Sequence, residues 1–140
     1  MNQSILSRSS AIESEIIENR RDFYRHPELS NREERTGALI AQRLEQLGLD
    51  VKSSIANHGV IGILRGPGDR VIGARANMDA LPVEDVLDVP YRSTIPGVKH
   101  ACGHDAESAI LLGVAEVLSG MREDLAGTIV FIFQPAEEGP

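Results

Sequence analysis

A single cysteine, no tryptophan and an aromatic content of 4% set the first limits on this 140-residue chain. One thiol cannot close an internal disulfide, so nothing points to an oxidising compartment, and the cytoplasm is the default expectation. Long apolar runs are missing as well. The stretches TIVFIF and AILLGVAEVL are of core length, well short of the roughly 20 residues that span a bilayer. The N-terminus MNQSILSRSSAIESE has no basic start leading into an apolar segment, so no secretory signal and no membrane partner are expected. Positive charge is scarce: 14 Lys and Arg stand against 21 Asp and Glu, for a net charge of −7. The basic clusters, Arg20-Arg21 and Arg32 to Arg35, alternate with acids, which argues against a nucleic-acid partner. Also absent are the G-x-S-x-G elbow, the P-loop and the dinucleotide fingerprint.

What is present has the size and composition of one ordinary domain, with 41% apolar and 25% charged residues. From Ser10, apolar residues at Ile12, Ile16, Phe23 and Tyr24 recur at helical steps, predicting a helix that ends before Pro27. A second helix is expected from Ser30, which stands in capping-box spacing with Glu33, to the C-terminal glycine Gly48. The runs VIGILRG and VIGARAN flank GPGD and read as two strands joined by a tight turn. Residues 80–99 read as a long loop, and DAESAILLGVAEVLSG as a third helix with Asp105 at its N-cap. GTIVFIFQP reads as a strand buried on both faces. Helices alternating with apolar strands indicate an α/β layered fold.

Three stretches carry chemistry. In HACGHD, Cys102 and His104 precede a helix with C-x-H spacing, and thiolate and imidazole are good ligands for zinc and similar ions. A lone cysteine is more often a buried apolar filler, so the motif alone is only suggestive of a metal site. In QPAEEGP, Glu137 and Glu138 follow the apolar strand. Successive side chains of extended backbone point to opposite sides, so one carboxylate can bind a metal while the other deprotonates water. Paired surface glutamates are common, but the end of a core strand is where α/β sheets place their sites. In ANMDALP, Asp79 either orients a histidine ligand through its second ring proton or makes ordinary turn hydrogen bonds. Of the other histidines, His26 reads as a helix-end cap, His58 as part of a turn, and His100 as a neighbour of the ligands.

The blocks RRDFYRHPELSNREERTGALIAQRLEQLGLDV, RANMDALP, HACGHD, LLGVAEVL and GTIVFIFQPAEEG resemble, in order, those of the aminoacylase-type amidohydrolases. That family includes hippurate hydrolases and auxin-conjugate hydrolases of the zinc carboxypeptidase-aminoacylase superfamily. The resemblance implies a three-layer α/β catalytic domain, with a central mixed sheet flanked by helices, of which residues 1–140 are the N-terminal part. The lid and dimerisation domain and the rest of the catalytic domain are expected outside these residues, with two further histidine ligands. The resemblance also implies two divalent metal ions, zinc or manganese, with cobalt or nickel also admissible. Carried over by position, Cys102 bridges the ions, His104 and Glu138 are ligands, Glu137 is the general base, and Asp79 supports the site.

The implied reaction is hydrolysis of N-acyl amino acids or related small amides by a metal-activated water, in a full-length form that is a homo-oligomer. The alternatives are an aminohydrolase of a small aromatic amine on the same scaffold, and a non-catalytic fragment or split-enzyme half. The isolated chain is expected to be weakly active or inactive, because an incomplete ligand set holds metals poorly. Two departures from the family pattern stand near the site: Asn77 where the family usually has Asp, and Glu107-Ser108 where it has His-Thr.

Overall fold

The most apolar run in the chain takes an interior place in the sheet. In the computed structural model, which describes residues 4–139, the elements in order are α1 (Ile5–Ala11), α2 (Glu13–Arg25), α3 (Glu34–Gln46), β1 (Asp50–Ile55), β2 (Gly59–Leu64), β3 (Arg70–Asn77), α4 (His104–Ser119) and β4 (Gly127–Gln134), with a short 3-10 turn at Arg122–Asp124. The strand order is β1-β2-β4-β3. β4 pairs antiparallel with β2 and parallel with β3, so the sheet is mixed, and α4 lies in the crossover that a parallel pair requires.

This order corrects the expected pairing of VIGILRG with VIGARAN. β4 lies between them, because its alternating Ile129, Phe131 and Phe133 give it the largest apolar face to bury. β2 instead closes a hairpin with β1, through a turn in which Ala56 (φ 47°) and Asn57 (φ 77°) adopt the left-handed conformation. The sequence reading missed β1 because DVKSSI is polar and largely exposed. β4 itself is not buried on both faces. Ile129, Phe131 and Phe133 are buried, whereas Thr128, Val130 and Ile132 are only half-buried.

The buried face of the sheet meets α3 and α4. Phe131, Phe133, Val60, Leu64 and Ala76 from the strands form one core with Ile40 and Leu44 of α3 and Ala109, Leu112 and Ala115 of α4. The Phe, Leu, Ile and Val side chains contribute about 1.5–3 kcal/mol each when fully buried, so this face carries most of the apolar stabilisation. Phe23 of α2 joins the same cluster.

The helix boundaries hold partly. The helix expected from Ser10 starts at Glu13 as α2, and α1, which the apolar pattern does not predict, precedes it across a break at Ile12 (φ −106°, ψ 9°). α2 ends where expected, with His26 as its C-cap and His26 Nδ1 3.0 Å from the Asp22 carbonyl. α3 ends at Gln46, and Gly48 just beyond its C-cap has a φ of 75°, which favours glycine. Its start differs from the capping box. Ser30 does not cap α3; the Glu28 carboxylate does, accepting from the Arg35 N–H (3.0 Å) and from the Thr36 N–H and hydroxyl (2.8 Å each). An anionic acceptor at a helix N-terminus satisfies orphan donors and meets the positive end of the helix dipole. Among the described residues no helix is long and apolar enough to cross a membrane.

Candidate metal centre

Parallel pairing of β3 and β4, with Asn77 opposite Gln134, brings the C-terminal ends of both strands to the same edge of the sheet. Asp79 leaves that edge from β3, Glu137 and Glu138 leave it from β4, and α4 begins there with His104. Gly103 precedes α4 with φ 103°, a left-handed conformation that favours glycine, and turns the chain from Cys102 into the helix. Asp105 is therefore not the N-cap. It lies in the first turn of α4, buried, with Oδ2 2.6 Å from Arg20 Nε.

One ligand atom each from Cys102, His104 and Glu138 lies within 4.8 Å of the others. His104 is 2% exposed, and its orientation is fixed from behind. Nδ1 lies 2.9 Å from the main-chain carbonyl of Asp79, an oxygen that only accepts, so Nδ1 carries the proton and Nε2 the lone pair. One of the two readings that the sequence leaves open gives that proton to the Asp79 side chain. Its Oδ1 does stand 3.2 Å from Nδ1, but the carbonyl is nearer. The other carboxylate oxygen, Oδ2, accepts from Ser30 Oγ (2.7 Å) and from the Glu138 N–H (2.8 Å). Asp79 thus ties three segments together. Burial pushes its pKa up, but the Glu138 amide and the Ser30 hydroxyl outweigh that effect and hold it below the usual carboxylate value.

The two glutamates do not point to opposite sides. Glu137 Oε2 is 3.7 Å and Glu138 Oε1 3.9 Å from His104 Nε2. Residues 135–139 lie beyond β4, with Ala136 at φ 53°, so the alternation of extended backbone does not apply. This turn is held by Glu33, a fully buried carboxylate that accepts from the Ala136 N–H at 2.7 Å. Cys102 is exposed. Its thiol hydrogen-bonds Glu138, and that bond, with burial and the charges of Glu138, Glu137 and Glu107, raises its pKa. A thiol ringed by carboxylates needs a nearby cation to become a good ligand.

Ser30 and Glu33, whose spacing predicts a helix cap, instead support the site, and Glu107, expected near the site, does lie there. Glu107 accepts from the Asn77 N–H (3.2 Å), and Ser108 Oγ donates to the Asn77 carbonyl (2.8 Å). Together these pin the start of α4 to the end of β3. His100 is buried, and neither ring nitrogen has a hydrogen-bond partner. His58 lies in the β1–β2 turn and is not one of the clustered ligands.

Comparison with known proteins shows what the chain resembles. Residues 73–140 match peptidase family M20/M25/M40. The chain is 42% identical over 129 residues to an N-acyl-L-amino acid amidohydrolase of Geobacillus stearothermophilus, covering 91% of this chain and 35% of that protein. It is 42% identical over 120 residues to the IAA-amino acid hydrolase ILR1-like 5 of Arabidopsis thaliana, covering 86% of this chain and 28% of that one. Among solved structures, the YXEP protein of Bacillus subtilis, a dinuclear metal-binding peptidase of family M20, superimposes with a TM-score of 0.87 at 40% identity, covering 92% of this chain and 36% of that one. The chain spans about a third of the length of the curated relatives it matches.

Proposed function

We propose, for a chain whose residues 73–140 match peptidase family M20/M25/M40, that Cys102, His104 and Glu138 hold a divalent metal ion of a dinuclear pair, and that Glu137 manages the proton of the attacking water in hydrolysing small N-acyl amino acids or related amides. The observation that carries this reading is the meeting of thiol, imidazole and carboxylate donors within 4.8 Å, from chain positions 36 residues apart.

The donor set fits such an ion. Thiolate and imidazole favour zinc, and carboxylate also admits manganese, cobalt or nickel. His104 presents the lone pair of Nε2 to the cluster because Nδ1 is committed to the Asp79 carbonyl. The surrounding acids supply negative charge that a cation offsets. When bound, the ions supply Lewis acidity, polarising the amide carbonyl and making water a better nucleophile.

The chain's own residues do the rest. Glu137 stands 3.7 Å from His104 Nε2, longer than a hydrogen bond, and is 39% exposed on its side chain, so its carboxylate reaches substrate and solvent. It takes a proton from water as the carbonyl carbon is attacked, then delivers it to the departing amine nitrogen. Glu138 keeps its place because its own N–H is held by Asp79. The reading assigns the second ion's remaining ligands, the lid and the homo-oligomer contacts to sequence outside these 140 residues.

The test is turnover of N-acetyl and N-benzoyl amino acids by the protein as its gene encodes it, loaded with zinc or manganese, alongside Glu137→Gln and Cys102→Ser. Glu137→Gln is expected to lower kcat by at least about 100-fold with metal content retained, and Cys102→Ser to lose metal. Wild-type kcat in Glu137→Gln would overturn the assignment.

A further inference from the structure

Asn77 has no task in the reading above. It is the last residue of β3, only 7% exposed, and its Oδ1 has no hydrogen-bond partner. A buried amide oxygen left unpaired is uncommon and calls for a partner. The main chain at this residue is held on both sides, its N–H by Glu107 Oε2 and its carbonyl by Ser108 Oγ, so the direction of the side chain is set by the fold. That direction is toward the metal cluster. Asn77 Nδ2 lies 3.4 Å from His104 Nε2, the ring atom that carries the lone pair.

This separation has a geometric meaning. Two donor atoms bound to one tetrahedral ion, each at roughly 2.0–2.2 Å, stand roughly 3.4 Å apart. The end of the Asn77 side chain therefore lies one ligand-to-ligand edge from Nε2. A half-turn about χ2 exchanges the carboxamide oxygen and nitrogen. Without an ion, the NH2 group facing the Nε2 lone pair is the favourable arrangement. Beside a cation that uses that lone pair, the oxygen is the end that belongs there.

We propose that Asn77 is a further metal ligand: its Oδ1 joins Cys102, His104 and Glu138 in the shell of the ion. The proposal rests on the metal-site reading above and adds a neutral oxygen donor to it. A neutral carboxamide leaves more positive charge on the ion than a carboxylate would, so the residue also sets how strongly the ion polarises what it binds.

Cobalt(II) titration of the metal-free protein, as its gene encodes it, tests this through two spectroscopic signals: the thiolate-to-cobalt charge-transfer band and the ligand-field bands. Asn77→Ala is expected to weaken cobalt(II) binding by at least about tenfold and to change the ligand-field envelope. Asn77→Asp, which restores an oxygen donor and adds charge, is expected to bind more tightly than the wild type and to change the ligand-field envelope. Wild-type affinity and an unchanged envelope in Asn77→Ala overturn the proposal. Should Asn77→Ala not fold, Asn77→Asp decides the matter, and an isotherm and envelope identical to wild type overturn it. A charge-transfer band that Cys102→Ser abolishes, with an affinity and ligand-field bands that Asn77 variants leave untouched, removes only this proposal. No charge-transfer band in the wild-type protein removes the metal-site reading and this proposal together.

Discussion

Replacing Asp79 with asparagine exchanges one oxygen of a buried carboxylate for an NH2 group, at a residue that is 1% exposed and holds two donors on one oxygen. Either orientation of the new amide loses something. With its oxygen kept toward Ser30 and Glu138, both bonds survive without charge assistance, and the NH2 group stands against the Nδ1–H of His104, where Oδ1 now lies 3.2 Å away. With the NH2 group turned toward Ser30 and Glu138, it faces the Glu138 N–H, donor against donor. Hydrogen bonds to a charged group contribute roughly 1.5–3 kcal/mol and neutral ones roughly 0.5–1.5, so removing the charge from two bonds costs about 2 kcal/mol. Ser30→Ala, which deletes one of the two, is expected to cost about 1.5 kcal/mol, and the double variant less than the two combined because they share an oxygen. Urea unfolding of the metal-free protein at pH 7 measures this as a lower midpoint at constant slope. The pH dependence gives an independent check. The folded pKa of Asp79 lies below its ordinary value of 3.8, so its contribution is complete above that value and is lost as the pH falls through the folded value. The difference between wild type and Asp79→Asn should therefore shrink below about pH 4. A deficit under 0.5 kcal/mol at pH 7, roughly the level of a neutral surface change, or one that persists undiminished at pH 3, about one unit below the ordinary carboxylate value, would refute the reasoning.

Two further outcomes follow from buried positions. Burial, followed by the nearby charge of His104, lowers the pKa of His100 from 6.5 to about 4. The folded state thus resists protonation that the unfolded chain accepts, and stability present above pH 6.5 declines toward pH 4 by up to about 3 kcal/mol, at 1.36 kcal/mol per unit. Urea midpoints of the metal-free protein from pH 7 to 4.5 should fall, and the slope should flatten in His100→Phe. Gly37→Ala sets a second test between opposing effects: alanine favours a helix by about 1 kcal/mol, but its Cβ would stand 2.5 Å from the His58 carbonyl oxygen, which belongs to the backbone of the β1–β2 turn. Overpacking against backbone costs about 1–3 kcal/mol, so thermal unfolding should show a net loss in Tm rather than the usual gain.

Much of the site was legible because its chemistry uses rare residue types. A single cysteine two residues from a histidine, and a glutamate pair closing an apolar strand, stand out in a chain of ordinary composition, and the structure brings Cys102, His104 and Glu138 together. The supports were less visible because they are long-range. Ser30 in SNREE has the local form of a helix cap, and nothing near it signals a partner 49 residues away at Asp79. Glu28 caps α3 from outside the helix, and Glu33 reaches Ala136 across 103 residues. Strand identity was readable from β-branched runs for β2, β3 and β4, whereas strand order was not. The turn residues of GPGD are compatible with a hairpin, and only the nonlocal burial of β4 decides against it. β1 escaped notice for a different reason: an exposed edge strand carries no apolar alternation to read.

The strand order that sequence could not provide is also what makes the site possible. Had β2 and β3 formed a hairpin, β3 would have run beside an antiparallel neighbour and its C-terminal end would have met the start of another strand. Because β4 lies beside β3 in parallel, the segments carrying Asp79 and Glu137-Glu138 emerge side by side, and the Asp79 carboxylate can hold the Glu138 N–H directly. The crossover then has to return through α4, whose first residue is His104. The hydrogen bond from Ser108 to the Asn77 carbonyl fixes that helix end at the same edge. The positive end of the α4 dipole therefore faces the cluster and favours the thiolate form of Cys102, against the raising effect of the surrounding glutamates. One parallel pairing positions the acids, the imidazole and the helix terminus together, so a substitution that disturbs the register between Asn77 and Gln134 should damage metal binding without touching any ligand.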